Sequence, residues 1–254
     1  MSAYLRVVGV SKSFGGLRAL NDCSFTTTKG LITCLVGPNG AGKTTIFNAI
    51  TGFLVPDEGH VAFQGTSLDG FSPQQVVATG IARSFQNLRL FTDLTARDNV
   101  LVAMPGQAGE TPLGAIFRPL HAARATAQRR AAAREVLAHV GLADGADTMV
   151  RNLSYGEQKL LSIARLLATG AELLLLDEPT SGLSGAALDR VMEVLRGLQT
   201  DGKTLLVVEH NTRVVQQIAD EVVFLHQGHV LAQGSPQEII TDPALAEIYF
   251  GGVI

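Results

Sequence analysis

A glycine-rich segment near the amino terminus has the residue types and spacing of a phosphate-binding loop. Residues 37–44 read GPNGAGKT and fit G-x-x-x-x-G-K-[ST], between the apolar run Ile32–Val36 and a helix predicted to begin near Gly42. Glycines let successive backbone N–H groups turn toward phosphate oxygens, and the following helix adds its positive end. The pattern predicts a nucleoside triphosphate site, with Lys43 on the β- and γ-phosphates and the Thr44 hydroxyl on Mg²⁺.

Two adjacent acids follow a second apolar run. Leu173–Asp177 reads LLLLD, and Glu178 comes next. A carboxylate at the carboxyl end of a parallel strand lies in the crevice where open α/β sheets bind ligands. Asp177 is suited to hold Mg²⁺ through water, and Glu178 to orient and deprotonate the water that attacks the γ-phosphate.

Two more polar residues follow apolar strands and so arrive at the same predicted sheet edge. Gln86 follows residues 81–85, and His210 follows residues 205–209. The Gln86 amide can accept from Mg²⁺-bound water and also donate, which suits sensing of a γ-phosphate. A lone histidine such as His210 is more often structural, so its assignment depends on the other motifs.

The helix predicted to begin near Ser154 has two interpretations. Ser154 at the N-cap and Glu157 three residues later form a capping box, which satisfies two free N–H groups. Gly156 is a poor residue for the first helical turn, and it leaves the backbone open to close approach. The positive end of this helix is then a second anion site, which one chain does not need for one phosphate.

Short β-type runs alternate with helical runs, which predicts an α/β fold with a largely parallel sheet. Predicted strands cover residues 5–10, 32–36, 61–63, 82–85, 173–177, 205–208 and 222–225. Predicted helices begin near Gly42, Pro73, Ala96, Ser154, Gly185 and Asn211. Strand signals vanish from about residue 86 to 153, which indicates an inserted helical subdomain. Its Ala- and Arg-rich stretch 118–138 predicts a helix, either solvated or facing a partner or membrane.

The composition limits the class of protein. The 254 residues carry 20 Lys and Arg against 23 Asp and Glu, a formal net charge of −3, which excludes a protein that mainly coats nucleic acid. Because 46% of the residues are hydrophobic, the chain can bury a large core. We find no apolar run of about 18 residues and no secretory signal, so we expect a cytoplasmic chain that does not cross a bilayer. Cys23 and Cys34 are predicted to be small buried residues.

Taken in order, these motifs resemble those of the ABC transporter ATPase family over nearly the whole chain. The set comprises residues 37–44, Gln86, the segment 153–158 (LSYGEQ), the pair 177–178 and His210. The resemblance implies a P-loop, RecA-like α/β nucleotide-binding core with an antiparallel β region and an inserted α-helical subdomain. It implies one ABC ATPase domain over 1–254, with the core in 1–86 and 159–254. The helical subdomain, which carries the signature motif, is expected in 87–158.

Smaller features make the chain similar to the ATP-binding subunits of branched-chain (hydrophobic) amino acid importers. These are Phe14 with two following glycines, residues 84–91, LSYG at 153–156, residues 182–183 and the tail 242–252. Importers of urea and related amides share much of this pattern, and lipid-type exporters keep the same five motifs. A soluble, non-transport ABC ATPase is a further alternative.

The resemblance also implies site residues. Those expected on the chain's own ATP are Phe14, which stacks on adenine unless it is core packing, and Gly37, Pro38, Asn39, Gly40, Ala41, Gly42, Lys43, Thr44 and Thr45. Catalytic roles are expected for Glu178, His210 and Gln86, and Mg²⁺ ligation for Thr44, Gln86 and Asp177. The signature residues Ser154, Tyr155, Gly156 and Glu157 are expected at the ATP of the partner subunit.

Two segments depart from the family pattern. Tyr155 replaces a glycine and Glu157 replaces a glutamine, and the branched-chain importer subunits tolerate tyrosine at the first position. Ser184 stands where Asp or Asn is usual, and Gly185 where Pro is usual. Ser184 can still form a hydrogen bond but carries no charge in this loop, which connects the two sites of a dimer.

The function implied is that of an ATP-binding and ATP-hydrolysing subunit that powers an importer of branched-chain or other hydrophobic amino acids. ATP and Mg²⁺ are the expected cofactors. Expected partners are a second ABC ATPase subunit in a head-to-tail dimer, two transmembrane permease subunits and, indirectly, a periplasmic or extracellular solute-binding protein, but no nucleic acid. Gln86 is expected to couple ATP sensing to a permease, and residues 87–94 to help form the groove for its cytoplasmic helix. The expected location is peripheral, on the cytoplasmic face of the cell membrane.

Overall fold

A computed structural model describes residues 3–85, 87–106 and 119–250 of the chain. The chain divides into two compact units. Unit 1 comprises Met1–Gln86, Glu172–Gly182 and Leu195–Ile254. Unit 2 comprises Asn87–Ala171 and Leu183–Val194.

A six-stranded sheet forms the centre of unit 1. Its order is β10-β9-β3-β8-β7-β6, in which only the β10–β9 pair is antiparallel. The strands are β3 (Ile32–Val36), β6 (Ile81–Arg83), β7 (Leu173–Asp177), β8 (Thr204–Val208), β9 (Glu221–His226) and β10 (His229–Gly234). Every residue of β3 and β8 is buried, as expected of parallel strands covered on both faces. The carboxyl ends of β3, β7 and β8 meet at one sheet edge.

A second, antiparallel sheet in unit 1 has the order β2-β1-β4-β5. Its strands are β1 (Leu5–Phe14), β2 (Leu17–Thr27), β4 (Glu58–Phe63) and β5 (Thr66–Ser67). The predicted strands omit β2, β5 and β10. In β2, bulges interrupt the pairing with β1, and Asp22 in its middle has a positive φ of 52°. One hydrophobic cluster joins buried residues of both sheets and of the first helix, among them Leu5, Phe47, Phe63 and Leu225.

Side-chain caps mark the starts of several helices, those of Ser72, Thr95, Ser154, Asn211 and Ser235. The helices are α1 (Lys43–Ile50), α2 (Pro73–Ala78), α3 (Ala96–Ala103), α4 (Pro119–His139), α5 (Tyr155–Ala168), α6 (Gly185–Thr200), α7 (Thr212–Ile218), α8 (Pro236–Thr241) and α9 (Pro243–Phe250), with a 3-10 turn at Val150–Asn152. All six predicted helix starts are confirmed to within one residue. The predictions omit α8 and α9, although Ser235 and Glu238 form a capping box at the start of α8.

Unit 2 is helical in its described part, where the only strand pairing is an isolated bridge between Thr95 and Met149. Helices α3, α4 and α5 pack on one another and bury side chains such as Val100, Leu137 and Leu161. The predicted helix in the Arg-rich stretch is confirmed as α4, although Arg118 lies outside the described residues. The predicted α/β class, with its antiparallel region and helical insertion, is confirmed.

Two smaller expectations are also answered. Cys23 and Cys34 are buried and form no disulfide, as predicted. Within the described ranges, we find no helix with both the length and the apolar character needed to span a membrane.

Candidate ATP-hydrolysis site

The glycine-rich loop connects β3 to α1. Gly37 has a φ of 146° and Gly42 a φ of 107°, which residues with a side chain rarely adopt. A Cβ at Gly37 would lie 1.9 Å from the carbonyl oxygen of Leu225, and a Cβ at Gly42 would lie 2.7 Å from that of Ala19. Both positions therefore require glycine for steric as well as conformational reasons.

Lys43, the first residue of α1, is only 8% exposed. Its ammonium donates to the carbonyl oxygens of Gly37 at 2.7 Å and Pro38 at 2.9 Å. Burial lowers the pKa of Lys43, whereas the charges of Glu178 and Asp177 raise it. The ammonium thus lies over the loop with two acids nearby, a suitable place for a cation that binds phosphates.

Asp177, the last residue of β7, pairs with a buried cation. Its Oδ2 lies 3.6 Å from Nη2 of Arg83, and the two side chains are 11% and 6% exposed. Arg83 also donates to Oδ1 of Asn48 on α1 at 2.6 Å. Burial raises the pKa of Asp177, Arg83 lowers it, and the neighbouring Glu178 raises it. Arg83 therefore fixes this carboxylate and links it to the helix that follows the glycine-rich loop.

Glu178 adopts an unusual backbone conformation at the sheet edge. Its φ is 49°, in the left-handed region, and its N–H donates to the carbonyl oxygen of Val208 at 3.0 Å. Its Oε1 lies 3.6 Å from Nδ1 of His210. The structure thus brings two of the predicted catalytic residues together, from the ends of two neighbouring parallel strands.

A cleft of about 310 Å³ joins the loop to the two acids. It is lined by Ala19, Asn39, Gly40, Ala41, Gly42, Lys43, Thr44, Thr45, Asp177, Glu178 and Val208. Seven of the predicted ATP-binding residues, from Asn39 to Thr45, therefore share one cleft with Asp177 and Glu178. Gly37 and Pro38 do not line the cleft, but their carbonyl oxygens accept from the ammonium of Lys43, which does.

The groups in this cleft fit a nucleotide and a hard divalent cation. The loop offers backbone N–H groups and an ammonium for phosphate oxygens. The hydroxyl of Thr44 and the carboxylate of Asp177 are oxygen donors of the kind that Mg²⁺ prefers. Gln86, the third predicted metal ligand and a predicted catalytic residue, lies outside the described residues.

Phe14 lies at the end of β1, beside the tight turn to β2. Its side chain is 49% exposed, and the ammonium of Lys12 lies 5.9 Å from the ring centroid. The alternative interpretation of Phe14 as core packing is therefore wrong, since half of the residue faces solvent. An exposed aromatic ring remains available for stacking.

The predicted capping box at the start of α5 is confirmed. The Ser154 hydroxyl accepts from the Glu157 N–H at 3.3 Å and donates to the Glu157 carboxylate at 2.7 Å, which also accepts the Ser154 N–H at 2.8 Å. These hydrogen bonds hold the pKa of Glu157 below its ordinary value. Tyr155 between them is 48% exposed, with the ammonium of Lys159 5.6 Å from its ring centroid.

Gly156 has a packing role as well. A Cβ at this position would lie 3.3 Å from the Cβ of Ala187 and 3.9 Å from Cδ2 of Leu183. The absence of a side chain thus lets the first turn of α5 lie close to the start of α6 within unit 2. The sequence signal at Gly156 indicates close approach to the backbone, but it does not indicate this packing against α6.

Sequence reasoning missed Arg83 and Glu209, two buried charges at this edge. Arg83 is in β6, and Glu209 directly follows β8 and is fully buried. The sequence contains a signal for both, because each is a charged residue inside or directly after an otherwise apolar strand. Such a residue must have a partner when it is buried.

The fold and the cleft together define the class of protein. A glycine-rich loop between a buried parallel strand and a helix, with acids at the end of a neighbouring strand, is the arrangement of P-loop nucleoside triphosphatases. An acid and a histidine lie 3.6 Å apart beside that loop.

Comparison with known proteins identifies the family. The ABC transporter family profile matches residues 20–181, and the chain belongs to this family of transporter ATPases. LivG of Salmonella typhimurium, a high-affinity branched-chain amino acid transport ATP-binding protein, is 36% identical over 248 residues, which cover 97% of each chain. A crystallised ATP-binding cassette of an ABC transporter, in its ADP conformation, has a TM-score of 0.84 at 29% identity, covering 99% of this chain and all of that one. A dimeric cassette bound to ADP and Pi has a TM-score of 0.74 at 26% identity, covering 91% and 98%.

Proposed function

We propose that this chain is the ATP-binding and ATP-hydrolysing subunit of an importer of branched-chain or other hydrophobic amino acids. The observation that carries the hydrolytic part is the cleft that holds the glycine-rich loop, Lys43, Asp177 and Glu178, with His210 3.6 Å from Glu178. LivG, similar over 97% of both chains, is a branched-chain amino acid transport ATP-binding protein, which supports this class of transported solute.

In the proposed reaction, water attacks the γ-phosphorus of ATP. Glu178 accepts a proton from that water as the new P–O bond forms and the bond to the β–γ bridging oxygen breaks, which releases ADP and phosphate. Lys43 neutralises charge on the β- and γ-phosphates. His210, within 3.6 Å of Glu178, orients its carboxylate.

Thr44 and Asp177 are the residues proposed to hold Mg²⁺, with Gln86 as the further predicted ligand. When bound, Mg²⁺ supplies positive charge that offsets the charge of the phosphates. Arg83, on the edge strand β6, keeps the Asp177 carboxylate in place. Phe14, with its exposed ring, is proposed to stack on the adenine.

The proposed catalytic assembly is a head-to-tail dimer. Ser154 and Gly156 begin α5, whose positive end is a suitable site for the γ-phosphate held by the partner subunit. Tyr155 and Glu157 belong to the same proposed contact surface. The similarity to a dimeric cassette bound to ADP and Pi supports this arrangement. Mass measurement of the purified complex distinguishes an identical partner from a homologous one.

Two transmembrane permease subunits are the other proposed partners, with a solute-binding protein acting through them. Unit 1 has an apolar cleft of about 340 Å³, whose lining includes Phe53, Val77 and Phe85. Phe53 and Val77 are 56% and 48% exposed, more than side chains of this kind usually are. We assign this cleft to a cytoplasmic helix of a permease. Residues 87–94 stay predicted to contact the permease. The chain then lies peripherally on the cytoplasmic face of the membrane.

Reconstitution in proteoliposomes tests which class of solute is transported. The chain is co-purified with its membrane subunits and binding protein, and ATP hydrolysis is measured in proteoliposomes with single solutes. We expect leucine, isoleucine or valine to stimulate hydrolysis. Stimulation by urea or short amides alone, or lipid export without a binding protein, would replace the amino acid assignment with one of the alternatives.

A matched pair of variants tests the permease surface. Val77→Asp places a charge in the apolar cleft and is expected to abolish co-purification while soluble ATP binding is kept. Leu231→Asp places the same charge on β10, where the side chain is equally exposed at 47%, and is expected to keep the complex. Equal behaviour of the two variants contradicts the assignment of the cleft.

A further inference from the structure

Glu209 is a buried acid that the reaction described above does not use. It directly follows β8, and none of its surface is exposed. Burial raises the pKa of Glu209, whereas hydrogen bonds from Thr180 and from the His210 N–H lower it. Because an ionisable group in the interior is costly unless it is bonded, its contacts call for a physical explanation.

The Glu209 carboxylate contacts Thr180 and the backbone of the next residue, His210. Its Oε1 accepts from the hydroxyl of Thr180 at 2.6 Å and from the Thr180 N–H at 3.2 Å. Its Oε2 is buried and forms no hydrogen bond within the part of the chain that the structure describes. Thr180 itself is only 5% exposed. The bonds therefore lie in a region shielded from water, where hydrogen bonds are strong.

These bonds connect the two segments that carry Glu178 and His210. Thr180 lies two residues after Glu178, and Glu209 directly precedes His210. The preceding residue, Val208, accepts the N–H of Glu178 at 3.0 Å. Two consecutive residues at the end of β8 thus hold two residues of the segment after β7, with one bond at Glu178 and two at Thr180.

This double attachment explains how Glu178 keeps its conformation. A φ of 49° is unfavourable for a residue with a side chain and persists only where the surroundings impose it. Without the bonds to Thr180, the segment after Glu178 loses two of the hydrogen bonds that attach it to the end of β8. Small displacements of a catalytic group lower rates strongly, since reacting atoms must be aligned.

We infer that Glu209 is a positioning residue, which through Thr180 holds Glu178 in its left-handed conformation and keeps its carboxylate beside His210. The inference rests on the proposed role of Glu178 as the base. Glu209 touches neither substrate nor reacting water in this role. Its effect is on the chemical step, and nucleotide affinity is left unchanged.

Paired variants separate the bond from the bulk of the side chain. Glu209→Leu keeps volume but removes the acceptor, whereas Glu209→Gln keeps an oxygen that can accept both Thr180 donors. Thr180→Val removes the hydroxyl, and Thr180→Ser keeps it. Thr204→Val is the matched control, because Thr204 is fully buried at the other end of β8, where its hydroxyl accepts the Gly30 N–H at 2.9 Å.

Single-turnover ATP hydrolysis and nucleotide affinity are measured on folded protein for each variant. We expect Glu209→Leu and Thr180→Val to lower the rate by about tenfold or more with unchanged affinity, the scale of a misplaced catalytic group. Glu209→Gln, Thr180→Ser and Thr204→Val should stay close to wild type. The combined Thr180→Val, Glu209→Leu variant should be no slower than the slower single variant.

Three results overturn the inference: wild-type rates for Glu209→Leu and Thr180→Val, additive losses in the double variant, or an equal loss in Thr204→Val. The Glu178→Gln variant, measured in the same way, separates this inference from the proposed function. If Glu178→Gln hydrolyses normally, the role of Glu178 itself is wrong. If it is slow while Thr180→Val and Glu209→Leu are normal, only the positioning role is wrong.

Discussion

At the scale of single residues, burial and nearby charges have opposite effects on the pKa of Lys43. The residue is almost fully buried, and burial lowers its pKa, but Glu178 and Asp177 oppose that change. In the structure its ammonium is bonded to the carbonyl oxygens of Gly37 and Pro38. When a triphosphate binds, its charged oxygens accept hydrogen bonds from the ammonium. Such bonds are stronger than those to neutral carbonyl oxygens.

Lys43→Ala should therefore weaken ATP binding. Hydrogen bonds to charged groups contribute about 1.5–3 kcal/mol, so we expect the dissociation constant to rise by about ten- to a hundredfold. Calorimetric titration measures it, with Lys203→Ala, which breaks a pair with Glu172 at the other end of the sheet, as control. Unchanged affinity in Lys43→Ala contradicts the assignment of the phosphate-binding loop.

Arg83 gives a second prediction for a single residue. The Arg83–Asp177 pair is nearly buried, and removal of one member of such a pair leaves an uncompensated charge. Arg83→Met should lower the free energy of unfolding by about 3 kcal/mol and should also raise the Mg²⁺ concentration needed for hydrolysis. Arg83→Lys, which keeps the charge, should lose less of both. Denaturant unfolding and Mg²⁺ titration check the two effects, and equal losses in Met and Lys variants would show that the charge is irrelevant.

At the scale of elements, the start of α5 combines stability with the proposed contact surface. The Ser154–Glu157 capping box satisfies N–H groups at the helix end, and it lowers the pKa of Glu157. A carboxylate with a lowered pKa stabilises the fold above its ordinary pKa, and that stabilisation is lost as the pH falls through the folded-state value.

Glu157→Gln should therefore be less stable than wild type at neutral pH, and the difference should shrink below about pH 4.3. Unfolding curves at a series of pH values measure this convergence. Glu135→Gln, which removes the charge of an exposed acid on α4, is the control. A Glu157→Gln difference that stays constant with pH contradicts the charged capping role.

The sequence predicts the elements around the site well, because their signals are local. The glycine pattern and the apolar runs of β3 and β7 place the loop and the acids, and N-cap residues such as Ser154 place the helices. The strand β2 and the left-handed φ of Glu178 have no such signal. Both depend on pairing with residues distant in sequence.

The same limit applies to partners within the site. The bond of Glu209 to Thr180 and the pair of Arg83 with Asp177 join residues 29 and 94 positions apart. A charged residue in an apolar strand indicates that a partner exists, but only the strand order shows which residue it is. Strands β6, β7 and β8 are neighbours in the sheet, which brings these side chains together.

At the scale of the whole molecule, we propose that Glu178 is the base of an ATPase that closes as a dimer. Glu178→Gln removes the proton acceptor while it keeps the shape of the side chain. Since general base catalysis contributes about 10²- to 10⁴-fold, hydrolysis should fall by that factor. ATP binding should persist, and the dimer should accumulate because it cannot hydrolyse the ATP that holds it closed.

The most direct measurement combines ATP turnover with the mass of the nucleotide-bound complex for wild type, Glu178→Gln and the control Glu172→Gln. Glu172 is an exposed acid just before the opposite end of β7. The expected result is slow turnover and a stable ATP-bound dimer, with the same or a homologous partner, for Glu178→Gln alone. Wild-type turnover by Glu178→Gln, or slow turnover shared by Glu172→Gln, contradicts the assignment of Glu178.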